Sequence, residues 1–409
     1  MSASTLLRSG TLPAALGSLM SLVAQALMAL FLLGLFEPQA VGVFSLVAQT
    51  AFGWATLALA QSPVSLLANQ HLPALAAARQ AWGTSLRRWG WLLPAAALAL
   101  AWSGQPLHTL LVLLAWSTAI ALTQMGWLLA QSLTLRLQAP LSIALVRLLP
   151  SVLAAALAGA GAIVLDWRDS GTLTAAALAG YAAGALWLWP LLQAPRPSGT
   201  DSTPTAPAAH ASGDLRSERL KFTHTLSDVL VATALAAHWT SVYGATQAGC
   251  LLILLRVMGF VPALVSTAWA QVVMSRPGAQ RPSSWLAALA GGLGVLLLGG
   301  AVHVALQAGW LSPAWSALRI YVWPLALWQV AACLIAAVSH RPFRQGRARA
   351  YTLQCIGMNA VQALLLVLPP WLGWDLPNHL WALAGFLCMA LSLQTLWAAR
   401  LSPHTGVAA

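Results

Sequence analysis

The chain has 409 residues, of which 59% are hydrophobic and only 7% charged, with a formal net charge of +12. A soluble domain carries about a quarter charged residues, and no soluble fold covers this much apolar surface. Composition therefore excludes a water-soluble globular protein and predicts an all-α, polytopic membrane protein, in which the position of each basic residue means more than the sum.

A helix needs about 20 apolar residues to cross the hydrocarbon core. Runs of that length predict crossings at 11–36, 41–66, 88–104, 107–131, 141–165 and 172–192, then at 222–239, 247–274, 284–307, 316–339, 351–372 and 378–399, twelve in all. Ala24-Gln25-Ala26 has the small-x-small form of a cleavage site, but the apolar run continues to Leu35, longer than a signal h-region, so it reads as a crossing. Residues 193–221 form the only long polar segment, rich in Pro, Ser and Thr, and read as a flexible linker. The chain thus divides into an N-terminal lobe of six helices at 1–192, a linker at 193–221 and a C-terminal lobe of six at 222–409.

With Arg8 inside, sixteen of the twenty Lys and Arg fall on one side, among them Arg79, Arg87, Arg88, Arg136 and the run Arg341 to Arg349. The outside connections hold Glu37, Asp375 and Arg168 between Asp166 and Asp169. The positive-inside rule places both termini in the cytoplasm. Cys250, Cys333, Cys355 and Cys388 fall in apolar segments without CxxC spacing and read as packing residues.

Across the linker, Phe36-Glu37-Pro38-Gln39-Ala40-Val41-Gly42 aligns with Tyr243-Gly244-Ala245-Thr246-Gln247-Ala248-Gly249 at an offset of 207 residues. At the same offset Gln49 falls opposite Arg256 and Ser21 opposite Asp228. Two halves of even helix count that both begin inside form a parallel repeat, related by an axis along the membrane normal, with a substrate path expected at their interface.

Three charged residues fall inside crossings: Arg147, Asp228 and Arg256. Each costs about 2.5–3.5 kcal/mol near a helix centre, so such residues face a bundle interior or a wet cavity. At 1.5 Å per residue Arg147 and Asp228 fall roughly 9 Å inside the cytoplasmic edge, with Arg256 nearer the midplane. Two readings of Arg147 stand, a functional cation or a side chain that snorkels to the interface. His224 and Asp228, four apart, share a helix face and read either as a proton relay or as a solvated histidine beside a neutralising acid. Gln25 and Gln49 are neutral hydrogen-bonding groups that line a sugar path or lock helices together. Pro262 predicts a kink between Arg256 and the cytoplasmic end of its helix. No GxSxG, HExxH, Walker or Asp-rich motif is present, so neither an enzyme nor a cofactor or metal site is expected.

Gln247-Ala248-Gly249, Leu255-Arg256-Val257, Phe260-Val261-Pro262 and Ala270-Gln271-Val272-Val273 follow one another in the eighth crossing, and Pro38 to Leu46 opens the second. This wording resembles the polysaccharide flippases of the multidrug/oligosaccharidyl-lipid/polysaccharide exporter superfamily. The resemblance implies two six-helix lobes around a central cavity that opens alternately inward and outward. It also implies an inner-membrane location, an undecaprenyl-diphosphate-linked oligosaccharide as substrate, membrane lipids around it, and a polysaccharide polymerase as a partner. In that reading Arg256 and Arg147, with Gln49 and Gln25, bind the substrate while Asp228 and His224 couple proton movement, since Arg presents a forked donor set to phosphate. A cation- or proton-coupled small-molecule antiporter of the multidrug branch is the alternative, and a membrane glycosyltransferase or polymerase a second one.

Overall fold

The computed structural model describes residues 20, 24–25, 28–60, 62–68, 72–137, 140–189, 215–275 and 284–401. Among these every regular element is helical, because in hydrocarbon a backbone must satisfy its own polar groups and a helix does so within one segment. We number the crossings α1 (described over 28–35), α2 Pro38–Leu59, α3 Ala74–Trp91 continuing as Leu93–Ala101, α4 Leu107–Leu137, α5 Pro140–Val164 and α6 Ser170–Ala185. Leu215–Ser275 is one run of helix broken at Gly244, giving α7 (215–243) and α8 (245–275). Then follow α9 Ser284–Gln307, α10 Leu318–Val338, α11 Ala348–Trp371 and α12 Leu376–Arg400, so among the described residues each of the twelve predicted crossings falls on helix.

Four expectations of detail need correction. The predicted third crossing starts fourteen residues early, so Arg79, Arg87 and Arg88 lie on helix and not in a loop. The polar linker ends sooner than 221, because 215–221 already belong to α7, while 190–214 lie outside the described residues. The second crossing is interrupted after Leu59, where Ala60 has φ 44° and a short helix Ser62–Ala68 follows. Finally, helix continues through Pro262, and the non-helical residue of the run is Gly244 (φ 82°, ψ 165°). A positive φ is open to glycine at little cost, whereas a proline removes one hydrogen bond, which a helix held by its neighbours tolerates.

The chain clusters into two compact units, Met1–Phe31 with Leu46–Thr233 and Leu32–Ser45 with Ala234–Ala409. The α1–α2 turn therefore goes with the C-terminal helices, and the first part of α7 with the N-terminal ones, a departure from a division at 192 and 222.

In the first unit, α6 packs on α4 and α5 through small residues. A Cβ on Gly180 would overlap the Pro150 carbonyl, and one on Gly184 would press on Trp127 and Pro150. Pro150 lacks an N–H, which leaves the carbonyl four residues back, Val146, without its helical donor. Trp127 Nε1 of α4 donates to that oxygen at 2.6 Å. In the second unit Leu391 and Ala398 of α12 pack on Ala331, Ile335 and Val338 of α10. Two acids outside the predicted crossings cap helices: Asp169 accepts from Thr172 N at 2.8 Å and Asp375 from Asn378 N at 2.9 Å, where the helix dipole favours a negative charge.

Arginines perform the converse task at helix C-termini. Arg88 donates to Leu59 O at 3.5 Å, Arg136 to Leu66 O at 2.9 Å and Arg341 to Ala399 O at 3.0 Å, each satisfying a carbonyl that the helix end leaves without a donor. Part of the basic charge that sequence assigns to orientation is therefore also structural.

Candidate functional site

The repeat found at an offset of 207 has a physical counterpart in the second unit. A Cβ built on Gly42 of α2 would overlap the carbonyl oxygen of Ala245 and come 3.0 Å from Gly249 N. A Cβ on Gly249 of α8 would overlap the carbonyl oxygen of Pro38 and come 3.0 Å from Gly42 N. Pro38 and Ala245 are themselves partners at that offset, as are Gly42 and Gly249. The starts of α2 and α8 thus cross reciprocally, backbone against backbone, at the two residues that the repeat makes equivalent. The chain breaks before both helices are equivalent too, at Glu37 and Gly244.

Arg256 stands seven residues into α8 beyond Gly249. Its guanidinium lies over the ring of Phe44 with the centroid at 5.4 Å, a cation–π contact, and its side chain is exposed on the protein while Phe44 is buried. The forked donor set of an arginine suits an anionic group of a ligand.

On α7, His224 and Asp228 pair as their spacing predicts, Nε2 to Oδ2 at 3.5 Å, with the aspartate side chain half exposed. Arg147 is half-buried on α5, Gln49 half-buried on α2, and Gln25 exposed on α1. The structure thus joins His224 with Asp228 and sets Arg256 on Phe44. Among the described residues no group of three His, Cys, Asp or Glu is placed to hold a metal ion.

Sequence reasoning missed the most polar buried cluster of the second unit. His379, fully buried at the start of α12, accepts or donates at both ring nitrogens: Nδ1 meets Tyr243 OH at 2.8 Å and Nε2 meets Leu365 O at 2.9 Å. A carbonyl only accepts, so in the neutral ring Nε2 carries the proton and Nδ1 accepts from the tyrosine. Leu365 O is the carbonyl that Pro369 deprives of its helical donor, and Leu366 O is the one deprived by Pro370. His238 of α7, also buried, interacts with Leu366 O. Beside them Trp239 Nε1 donates to Tyr321 OH and Tyr321 OH to Gln247 Oε1, both at 3.1 Å, and the Trp239 and His379 rings lie 4.8 Å apart. The signal available in the sequence is the Pro369-Pro370 pair inside an apolar run, which demands two outside donors.

The first unit holds a small cavity of about 60 Å³ walled by Gly53, Trp54, Thr50 and Thr233. Both threonine hydroxyls are buried without a hydrogen-bond partner. The floor is rigid, since Trp54 stacks on Trp89 at 5.0 Å and donates to Trp89 O at 2.8 Å. The space admits water and not a substrate.

No family model matches this sequence, and no curated protein matches it. Solved structures do resemble it over its length. A multidrug resistance MATE family transporter of the MOP superfamily, in an inward-facing conformation, aligns over 98% of this chain and 94% of its own, with a TM-score of 0.52 at 15% identity. A MOP superfamily transporter from Pyrococcus furiosus, described as having a binding pocket of reversed polarity that suggests a different function, aligns over 98% and 97% with a TM-score of 0.53 at 14% identity. A MATE structure in complex with MaD3S aligns over 98% of each chain with a TM-score of 0.51 at 15% identity. The chain therefore has the fold of MATE transporters of the MOP superfamily.

Proposed function

We propose that this protein is a membrane transporter that works by alternating access, and the observation that carries this is the full-length likeness in fold to MOP superfamily transporters. Likeness in fold favours, as its substrate class, the small molecules suggested by the multidrug resistance neighbour, with His224 and Asp228 as the pair that couples transport to a proton or cation.

A second reading rests on a different observation, the sign of the charges within the apolar helices. Arg147 and Arg256 face a single acid there, Asp228, and an exporter of cationic drugs gains nothing from arginines that an anionic headgroup would use. Together with the wording around Arg256, this supports flipping of a lipid-diphosphate-linked oligosaccharide to the outer leaflet, with Arg256 and Arg147 engaging phosphate and Gln49 and Gln25 the sugar. The reversed pocket polarity described for the Pyrococcus furiosus transporter is in keeping with a fold that serves more than one substrate charge.

One experiment separates the two. The protein is depleted in its host, and drug susceptibility and the leaflet distribution of lipid-linked oligosaccharide are measured together. Increased drug susceptibility with unchanged lipid-linked sugar supports antiport. Accumulation on the cytoplasmic leaflet with loss of surface polysaccharide supports flipping, and in that case Arg256→Gln is expected to reduce surface polysaccharide at least tenfold. No change in either measurement would overturn both substrate readings.

A further inference from the structure

α11 and α12 are both long and apolar enough to cross a membrane. Between them lies a groove of about 310 Å³, the lower end of the range that takes a small ligand. Gly357 and Val361 of α11 and Leu393 and Trp397 of α12 line it. Its base is held shut by Gln394 of α12, whose Nε2 donates to Cys355 Sγ of α11 at 3.2 Å. The groove is open on the protein surface: Val361 is 40% and Leu393 58% exposed, and a side chain added at Gly357 would meet nothing within 4 Å. Glycine in a helix interior costs about 0.5–1 kcal/mol relative to alanine, so close packing does not explain it here.

One end of this groove is strongly basic. Trp397 lies three residues before Arg400, and Gln354, also in the lining, five residues after Arg349, separations of about 4.5 and 7.5 Å along a helix axis. Arg344, Arg347, Arg349 and Arg400 are all exposed, and the ion pairs found among the described residues, Arg168 with Asp166 and His224 with Asp228, involve none of them. Arg341, by contrast, is committed to Ala399 O, and Gln345 to Leu401 O, which anchors the basic segment to the end of α12. An apolar groove with four exposed arginines at one end, none of them in an ion pair among the described residues, matches an amphiphile with an anionic head.

We infer that this groove binds an anionic phospholipid, with its phosphate on the exposed arginines and one acyl chain laid along Gly357, Val361 and Leu393. The groove lies wholly within the second unit, so the inference does not depend on which substrate is transported.

The test uses the full chain purified in detergent, titrated with phosphatidylglycerol, with phosphatidylcholine and with inorganic phosphate, and read by native mass spectrometry and thermal unfolding. The wild type is expected to retain phosphatidylglycerol at least tenfold more tightly than phosphatidylcholine and to gain thermal stability from it, with no gain from inorganic phosphate. Gly357→Phe, which fills open space, and the combined Arg344→Gln, Arg347→Gln, Arg349→Gln variant are each expected to abolish that preference without changing the unfolding temperature in lipid-free detergent. Leu393→Trp provides a second groove-filling variant should Gly357→Phe fail to fold. Equal retention of the two lipids by the wild type, undiminished phosphatidylglycerol binding by a folded groove variant or by the triple arginine variant, or an equal gain from inorganic phosphate would each overturn the inference.

Discussion

Prolines inside apolar helices leave carbonyls that neither water nor the helix can satisfy, and at Pro150 and Pro369 this chain answers with a ring N–H from a neighbouring helix. Trp127 serves the carbonyl freed by Pro150, and His379 the one freed by Pro369. Leaving such an oxygen unsatisfied costs about 1–3 kcal/mol. His379→Ala is therefore expected to destabilise the protein by about 2 kcal/mol in thermal or denaturant unfolding, more than Tyr243→Phe, which removes a hydrogen bond but leaves the His379 N–H donating to Leu365 O. His379→Gln, which can still present an N–H, should recover part of the loss. If His379→Ala unfolds like the wild type, the ring does not splice the break. At this scale the sequence was legible where partners are neighbours along one helix, as with His224 and Asp228. It was silent on His379, whose partners Tyr243 and Leu365 lie 136 and 14 residues away.

The elements show the same division. Hydropathy located twelve crossings, because the length of an apolar run is a local property set by bilayer thickness. It misplaced the boundaries where helix continues into polar sequence, at Ala74–Trp91 and at 215–221. The repeat at an offset of 207 made Gly42 and Gly249 equivalent, yet nothing local said that they touch. Since a Cβ on either would overlap a backbone carbonyl of the opposite helix, Gly42→Ala and Gly249→Ala are each expected to cost several kcal/mol, beyond the ~1–3 kcal/mol of ordinary overpacking, or to prevent folding. Gly300→Ala on α9 meets nothing within 4 Å and serves as the control, with stability unchanged or raised by about 0.5–1 kcal/mol. Unfolding temperatures of the three purified variants check this, and equal behaviour would mean that the crossing tolerates separation. Gly244→Ala, at φ 82° and ψ 165°, should cost about 1–3 kcal/mol, since that backbone region is open almost to glycine alone.

For the whole molecule, charge asymmetry predicts an orientation that labelling can check. Ala314 lies in the turn between α9 and α10 and Phe343 in the basic connection between α10 and α11, both exposed. Ala314→Cys is expected to react with a membrane-impermeant maleimide in intact cells, and Phe343→Cys only after permeabilisation. Background should be low, because Cys250, Cys333 and Cys355 are buried and Cys388 half-buried. The opposite pattern would invert the topology. The assignment of Leu32–Ser45 to the C-terminal unit and of the first part of α7 to the N-terminal one was not legible, since the polar linker marks where the chain is cut and not where its helices pack.

By itself the sequence determined that the chain is a membrane protein with twelve apolar runs long enough to cross, which of its charges fall inside those runs, and that a short motif recurs at an offset of 207 residues. These follow from composition, from runs of about 20 apolar residues and from self-similarity, which need no knowledge of contacts. Only the tertiary structure decided that Gly42 and Gly249 meet, that an imidazole and an indole close the breaks at Pro369 and Pro150, that several arginines cap helix ends, and that a groove runs between α11 and α12. The physical reason is common to all four: each is a pairing between different helices, enforced by a backbone group that hydrocarbon leaves no solvent to satisfy or by a surface that only packing brings together.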